Sequence, residues 1–215
     1  MPRLLDLFCG AGGAAVGYHR AGFTVEGVDL HPQPHYPYTF HQADWLAFLV
    51  AGGWRGFDAI HASPPCQHYT RAQNAAQNAD AHPDLIAPVR AALVATGLPY
   101  VIENVVGAPL VDAVQICGLA LGLNVKRHRR FECSFPVMVP PCTGHDSNYI
   151  VIFGHECRSR RTGGTAGRKN RIAVGHAAMG IDWMTRGELS EAIPPAYTEH
   201  IGGYLADALR WEDAA

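Results

Sequence analysis

A chain of 215 residues with 48% hydrophobic and 17% charged residues fits a soluble globular protein with one main core. No apolar run reaches the length that spans a bilayer, so no membrane partner is expected. The net charge of −2 conceals an asymmetry: residues 126–171 hold ten Lys/Arg against three Asp/Glu, and the rest holds seven against sixteen. A basic segment set into an acidic body is the footprint of a polyanion partner, although a solvated arginine-rich loop has the same composition. The start, MPRLLDLFCG, runs straight into a strand-like segment without a signal-peptide core. The six cysteines (9, 66, 117, 133, 142 and 157) therefore read as thiols in a reducing, cytoplasmic setting.

Along the chain, LLDLF (4–8) predicts a buried strand, and GAGGAAVGYHRAG (10–22) a glycine turn opening a small-residue helix. FTVEGVDL (23–30) predicts a second strand, HPQPHYP (31–37) a loop, and DWLAFLVAGG (44–53) a helix capped by Asp44. FDAIHAS (57–63) predicts a third strand and leads into SPPCQHYT; residues 71–82 read as a mobile loop. HPDLIAPVRAALVATGL (82–98) predicts a helix, PYVIENV (99–105) a buried strand, and VDAVQICGLALGL (111–123) another helix. Strands alternating with helices of this size predict a doubly wound, mostly parallel Rossmann-like sheet, whose ligands sit at the carboxyl ends of the strands. Gly10, Asp29, Cys66 and Glu103 all fall there. Beyond residue 132 the pattern becomes irregular, TGGTAGRKNR (162–171) reads as flexible, and helical patterns return near 185–192 and 200–212.

Two consecutive prolines fix two φ angles and remove two backbone donors, so Cys66 stands on a stiff, extended segment. Such a mounting suits a nucleophile rather than a filler cysteine. ENV (103–105) puts a carboxylate at a neighbouring strand end, where an apolar wall can raise its pKa. A thiolate that adds to a ring needs such a proton donor. In DLFCGAGG (6–13) the glycines let backbone approach a ligand, and Phe8–Cys9 before the turn suits an adenine with an amino-acid tail. Asp29 is placed for ribose hydroxyls and Asp44 for an adenine amino group; a turn or helix-cap role fits each as well. In VKRHRRFE (125–132), Arg127 and Arg129 share one strand face, a pair of forks suited to a phosphate and a base carbonyl; an exposed basic edge strand has the same pattern.

Taken in order, DLFCGAGG, GVDL, QADW, SPPCQ, ENV, the R-x-R of KRHRRF and AIPPAYTEHIGGYLADAL resemble the DNA (cytosine-5) methyltransferases, most of all compact bacteriophage and bacterial forms. The resemblance spans nearly the whole chain except about 133–175. It implies a class I methyltransferase fold, with residues 1–132 and 176–215 as catalytic domain and 133–175 as a short target-recognition insertion. It implies methyl transfer from S-adenosyl-L-methionine to carbon 5 of a cytosine flipped out of double-stranded DNA. Cys66 would attack carbon 6, Glu103 would hold the ring nitrogen, and Arg129 with Arg127 would bind the base oxygen and nearby backbone. Phe8 would stack on the adenine, with Gly10 and Gly12 against the methionine moiety. Asp6, Cys9, Gly13, Leu30, Trp45 and Pro64 complete the implied cofactor set beside Asp29 and Asp44. An RNA cytosine-5 methyltransferase shares the cysteine and glutamate, and an inactive DNA-binding protein could keep the fold.

The chain departs from the family pattern at Val125, where a glutamine is usual, and at Gly203, where an asparagine is common. Within the insertion, Cys133, Cys142, His145, His155 and Cys157 have C-x-x-H and H-x-C spacings. The spacing is not that of a standard finger, so no metal is expected; Cys133, Cys142, His145 and Cys157 are the zinc candidates otherwise.

Overall fold

A computed structural model describes residues 1–69, 83–143, 145, 148–153, 156–159 and 171–212. Seven strands form one sheet in the order β3-β2-β1-β4-β5-β7-β6. β1 (Arg3–Leu7), β2 (Thr24–Asp29), β3 (Thr39–Gln42), β4 (Ala59–Ala62) and β5 (Tyr100–Asn104) pair in parallel. β7 (His128–Cys133) runs antiparallel between β5 and β6 (Val114–Cys117). The chain is thus a doubly wound Rossmann-like sheet with an antiparallel strand near one edge.

Side-chain alternation explains how both faces are covered. Leu4, Val25, Ala59 and Val101 face one core, together with Ala14 and Tyr18 of α1 (Gly13–Arg20) and Ile201 and Leu205 of α6 (Pro195–Glu212). Leu5, Leu7, Val28, Ile60 and Ile102 face the other, against Leu49 of α2 (Trp45–Val50) and Ile86, Val89 and Leu93 of α3 (Ile86–Thr96). Helices α1 and α6 pack closely: a Cβ on Gly17 would fall 2.1 Å from the Pro195 carbonyl oxygen, and Thr198 Oγ1 donates to Ala14 O at 2.8 Å. A third cluster joins Val125 and Ile152 to Met179 of α4 (Arg171–Met179) and Leu189 of α5 (Arg186–Glu191). Among the described residues no helix is long and apolar enough to cross a membrane.

The structure departs from the sequence expectation in several places, among them α4, a helix over Arg171–Met179 where none is expected. Residues 111–123 form β6 and a 3-10 turn (Gly118–Leu121) rather than a helix, because β7 captures Val114–Cys117 as an edge strand. A four-residue strand, VQIC, carries too little periodicity to tell strand from helix. β3 arises where no element was expected, as a half-exposed edge beside β2. The last helix begins at Pro195, not 200; proline suits a first helical position because that N–H has no partner within the helix. The segment expected to be irregular contains a hairpin, β8 (Ile150–Phe153) with β9 (Glu156–Ser159). The expected loop 71–82 and residues 162–170 lie outside the described residues.

Candidate active site

Alternation also builds the site. On the α1 face, the apolar positions of three strands give way near their carboxyl ends to Asp6, His61 and Glu103, all buried. Asp6 and His61 are register partners on β1 and β4, and Glu103 follows two positions after Val101, the partner of His61 on β5. Buried polar groups need partners. His61 Nδ1 meets Tyr18 Oη at 3.0 Å and Nε2 meets Ser63 Oγ at 2.8 Å. Burial pushes the His61 pKa down to about 3, so the ring is neutral. Ser63 in turn hydrogen-bonds Glu103, linking Tyr18 to the carboxylate in one chain of contacts.

Glu103 faces Arg129, whose Nε lies 3.0 Å from Oε1 in an ion pair. Burial raises the Glu103 carboxyl, while Arg129, Arg127 and the Ser63 hydrogen bond pull it down. Cys66 stands next to this pair, half-buried, just past the end of β4. Burial pushes its thiol up; Arg129 is the largest opposing influence, and Glu103 raises it further. The proline segment is pinned by a contact the sequence reading did not assign. The Asn104 Nδ2 donates to Pro64 O at 2.8 Å in a buried hydrogen bond. ENV therefore supplies both the carboxylate and the strut holding the cysteine segment against β5. The backbone behind Cys66 is closed by Tyr69 N donating to Cys66 O at 2.9 Å.

Arg127 shares the face of Arg129, since both act on Glu103 and Cys66, but it is buried within protein. Its guanidinium donates to Ile152 O and Ser190 O, and burial lowers its pKa to about 9. Tyr197 Oη donates to the Arg127 carbonyl. Arg127 therefore braces the start of β7 from behind, while Arg129 reaches the carboxylate.

The residues assigned to a cofactor divide into two groups. Phe8 holds a left-handed backbone, φ 59°, a rare and strained state for a bulky residue. It turns the ring toward Trp45, at 5.7 Å between centroids. A Cβ on Gly10 (φ +49°) would meet nothing within 4 Å, so the backbone there borders open space. Both Asp6 oxygens are buried without a hydrogen-bond partner among the described residues, and burial followed by Asp29 raises that carboxyl. Asp29 accepts from Gly10 N at 3.1 Å and His31 N at 3.0 Å, and Leu30 beside it is exposed. Asp44 caps α2 through one oxygen, Oδ1, which accepts from Leu46 N and Ala47 N. Cys9, Gly12 and Gly13 instead face protein. Cys9 is buried beside Gly27, Gly12 packs on Tyr36 and Pro37, and a Cβ on Gly13 would lie 2.4 Å from Ile193 O. Trp183, which sequence reasoning passed over, donates from Nε1 to Ala11 O at 2.8 Å and clamps the glycine turn. No local signal marks it, because the contact spans 172 positions. An orphaned buried carboxyl, an aromatic pair and open backbone at Gly10 fit an adenosyl ligand with a polar tail.

Of the zinc candidates, Cys142 and His145 come together, Sγ to Nε2 3.2 Å. Cys133 lies elsewhere: it packs into the α1-side core, with its thiol pushed up to about 12 by burial. His155 lies outside the described residues, as does the Cys157 side chain.

No protein-family model and no curated protein matches the sequence. Solved structures do. A protein assigned as a DNA modification methyltransferase encoded within an E. coli prophage matches with a TM-score of 0.66 at 14% identity, covering 98% of this chain and 100% of its own. The S. pombe Dnmt2 methyltransferase matches at 0.62 and 13% identity, over 97% of this chain and 99% of its own. The Entamoeba histolytica methyltransferase EhMeth matches at 0.60 and 12% identity, also over 97% and 99%. Likeness at this identity is one of architecture, and over nearly its whole length the chain has the fold of these methyltransferases.

Proposed function

We propose that the chain is a DNA cytosine-5 methyltransferase, acting on a cytosine rotated out of the duplex with S-adenosylmethionine as methyl donor. The observation that carries the reading is the convergence of Cys66, Glu103 and Arg129 at one end of the sheet, with the thiol on a segment stiffened by Pro64, Pro65 and Asn104. S-adenosylmethionine supplies a methyl group already activated for transfer to a carbon nucleophile. Phe8 and Trp45 would flank its adenine, and the free lone pairs of Asp29 would take the ribose hydroxyls. The second oxygen of Asp44 would take the adenine amino group, with Asp6, Gly10, Leu30 and Pro64 around the remainder.

The side chains make carbon 5 nucleophilic. As a thiolate, the Cys66 sulfur bonds to carbon 6. The ring π electrons move toward the ring nitrogen, which takes up the proton held by Glu103, leaving an enamine with its density at carbon 5. Burial of Glu103 favours the protonated form that this step needs. Arg129 holds the base oxygen and lowers the cost of the thiolate. After methyl transfer, loss of the carbon 5 proton to a base returns the electrons to the ring bond and expels the thiolate, and Glu103 regains its proton. Residues 133–175, which overlap the basic segment 126–171, would contact the target duplex, flanked by a catalytic domain of residues 1–132 and 176–215.

The test is incubation with labelled S-adenosylmethionine and either duplex DNA or RNA, beside Cys66→Ala. Label in DNA, lost with Cys66→Ala, is expected. Label in RNA alone refutes the DNA reading, and binding without transfer refutes catalysis. On 5-fluorocytosine DNA the wild type is expected to stall as a covalent adduct; no adduct refutes Cys66 as nucleophile.

A further inference from the structure

A second cluster of reactive side chains stands on the outer edge of the sheet. Cys117 ends β6 and His128 opens β7, and the two are register partners in the antiparallel pair. Partners across such a pair project on the same face. After β7 the chain returns over this edge and delivers Cys142 and His145. His145 Nε2 lies 3.6 Å from Cys117 Sγ and 3.2 Å from Cys142 Sγ; His128 Nε2 lies 3.2 Å from Cys142 Sγ. All four donor atoms fall within 4.8 Å of one another.

We infer that Cys117, His128, Cys142 and His145 form a structural zinc site. Two thiolates and two imidazoles are a preferred donor set for zinc, and the thiolates together cancel the charge of the ion. With Zn–S near 2.3 Å and Zn–N near 2.05 Å, a tetrahedron has S···N edges of about 3.6 Å and an S···S edge of about 3.8 Å. The observed sulfur–nitrogen separations of 3.2–3.6 Å lie close to those edges. A Cys117–Cys142 disulfide would use the two sulfurs but give no reason for two imidazoles to converge on them through Nε2. Four protein ligands leave no open coordination position, which marks the site as structural rather than catalytic. Cys117 is buried and Cys142 exposed, so the metal has an entry path from solvent.

The placement gives the metal a task. β6 is a four-residue edge strand, and the described residues between β7 and β8 form no helix or strand. One ion would tie strand, edge and returning loop together where little apolar surface is available. His128 lies between Arg127 and Arg129 in sequence but on the opposite face. Fixing its ring pins the backbone that presents both arginines. The metal claim does not depend on the methyl-transfer reading.

The experiment uses the full chain, purified under reductant, with metal content measured directly. One equivalent of zinc per chain is expected. After removal by chelator, titration with Co2+ should give the visible absorption and thiolate charge transfer of a tetrahedral site. Outer partners of metal ligands are worth roughly 10–100-fold in affinity, so losing a ligand through Cys142→Ser or His145→Ala should cost more than about 100-fold. Both residues lie on a loop outside the sheet, and Cys133→Ser should leave uptake unchanged. Absence of zinc together with no tetrahedral Co2+ spectrum overturns the site. So does uptake undiminished in Cys142→Ser, or lost in Cys133→Ser.

Discussion

Removing the strut between β5 and the cysteine segment gives the sharpest perturbation of the site. In Asn104→Ala, Pro64 O loses a 2.8 Å buried donor, and an unsatisfied buried carbonyl costs about 1–3 kcal/mol. The local bond from Val105 N to Asn104 Oδ1 at 2.9 Å is lost as well, but Val105 is half-buried and water can replace that acceptor. Folding stability should therefore fall by about 2 kcal/mol. The cysteine segment would lose its anchor to the strand bearing Glu103, and misplacement of a reacting group by about 1 Å costs on the order of 100-fold in rate. Asn104→Asp is the stricter variant. It keeps the side-chain shape but turns an oxygen toward the Pro64 carbonyl, so at neutral pH it should be less stable and slower than Asn104→Ala. Part of both losses should return in mild acid, where the introduced carboxyl is protonated and can donate. Urea denaturation and the single-turnover rate of methyl transfer measure the two effects. An Asn104→Asp protein equal to wild type at neutral pH would show that this hydrogen bond holds nothing in place.

His61 titrates near 3 when folded and near 6.5 when unfolded, so its contribution to stability is present above about 6.5 and lost as pH falls toward 3. His61→Gln should flatten that decline by up to about 1.4 kcal/mol per pH unit, read from denaturation between roughly pH 6.5 and 5. Glu132 receives Arg90 Nε at 2.6 Å, Arg90 Nη2 at 2.7 Å and Val111 N at 2.8 Å, and Arg90 is partly exposed. Glu132→Gln should cost about 2 kcal/mol in thermal unfolding, below the range for a fully buried pair, and leave S-adenosylmethionine binding intact. At Phe8, both Phe8→Ala and Phe8→Gly should weaken S-adenosylmethionine binding by calorimetry. Phe8→Gly should be the more stable by about 1 kcal/mol, because glycine adopts φ 59° without strain. Equal stability of the two variants would contradict the strain argument.

What the sequence disclosed and what it withheld follow one physical distinction. Strands buried on both faces are runs of apolar residues closed by glycine or proline, and β1, β2, β4 and β5 were legible for that reason. Cys66 and Glu103 stand out in the sequence because their surroundings are local: prolines stiffen one, and apolar neighbours flank the other. Contacts that close over long separations had no such trace. The Trp183 clamp on Ala11 and the Tyr197 bond to Arg127 join residues 172 and 70 positions apart, and the pairing that brings Cys117 to His128 depends on β6 forming a strand where a helix is expected. Cys133 was grouped with Cys142 by proximity in sequence. An odd offset of five from His128 turns it to the opposite face of the same strand. Gly12 and Gly13 looked like ligand contacts because glycine marks close approach, yet what approaches them is the protein itself.

The seam between α1 and α6 bears on how the molecule comes into being. The glycine turn and α1 leave the ribosome first, and their cover (Ile193, Pro195, Thr198 and Ile201) is synthesised some 180 residues later. The same late stretch carries Tyr197, which holds the Arg127 carbonyl. A nascent chain therefore has neither a closed seam behind the glycine turn nor a seated Arg127 until residues 193–201 have been made. Termination anywhere before those residues should leave α1 without its cover and the sheet unable to close, rather than a slightly less stable version of the same fold.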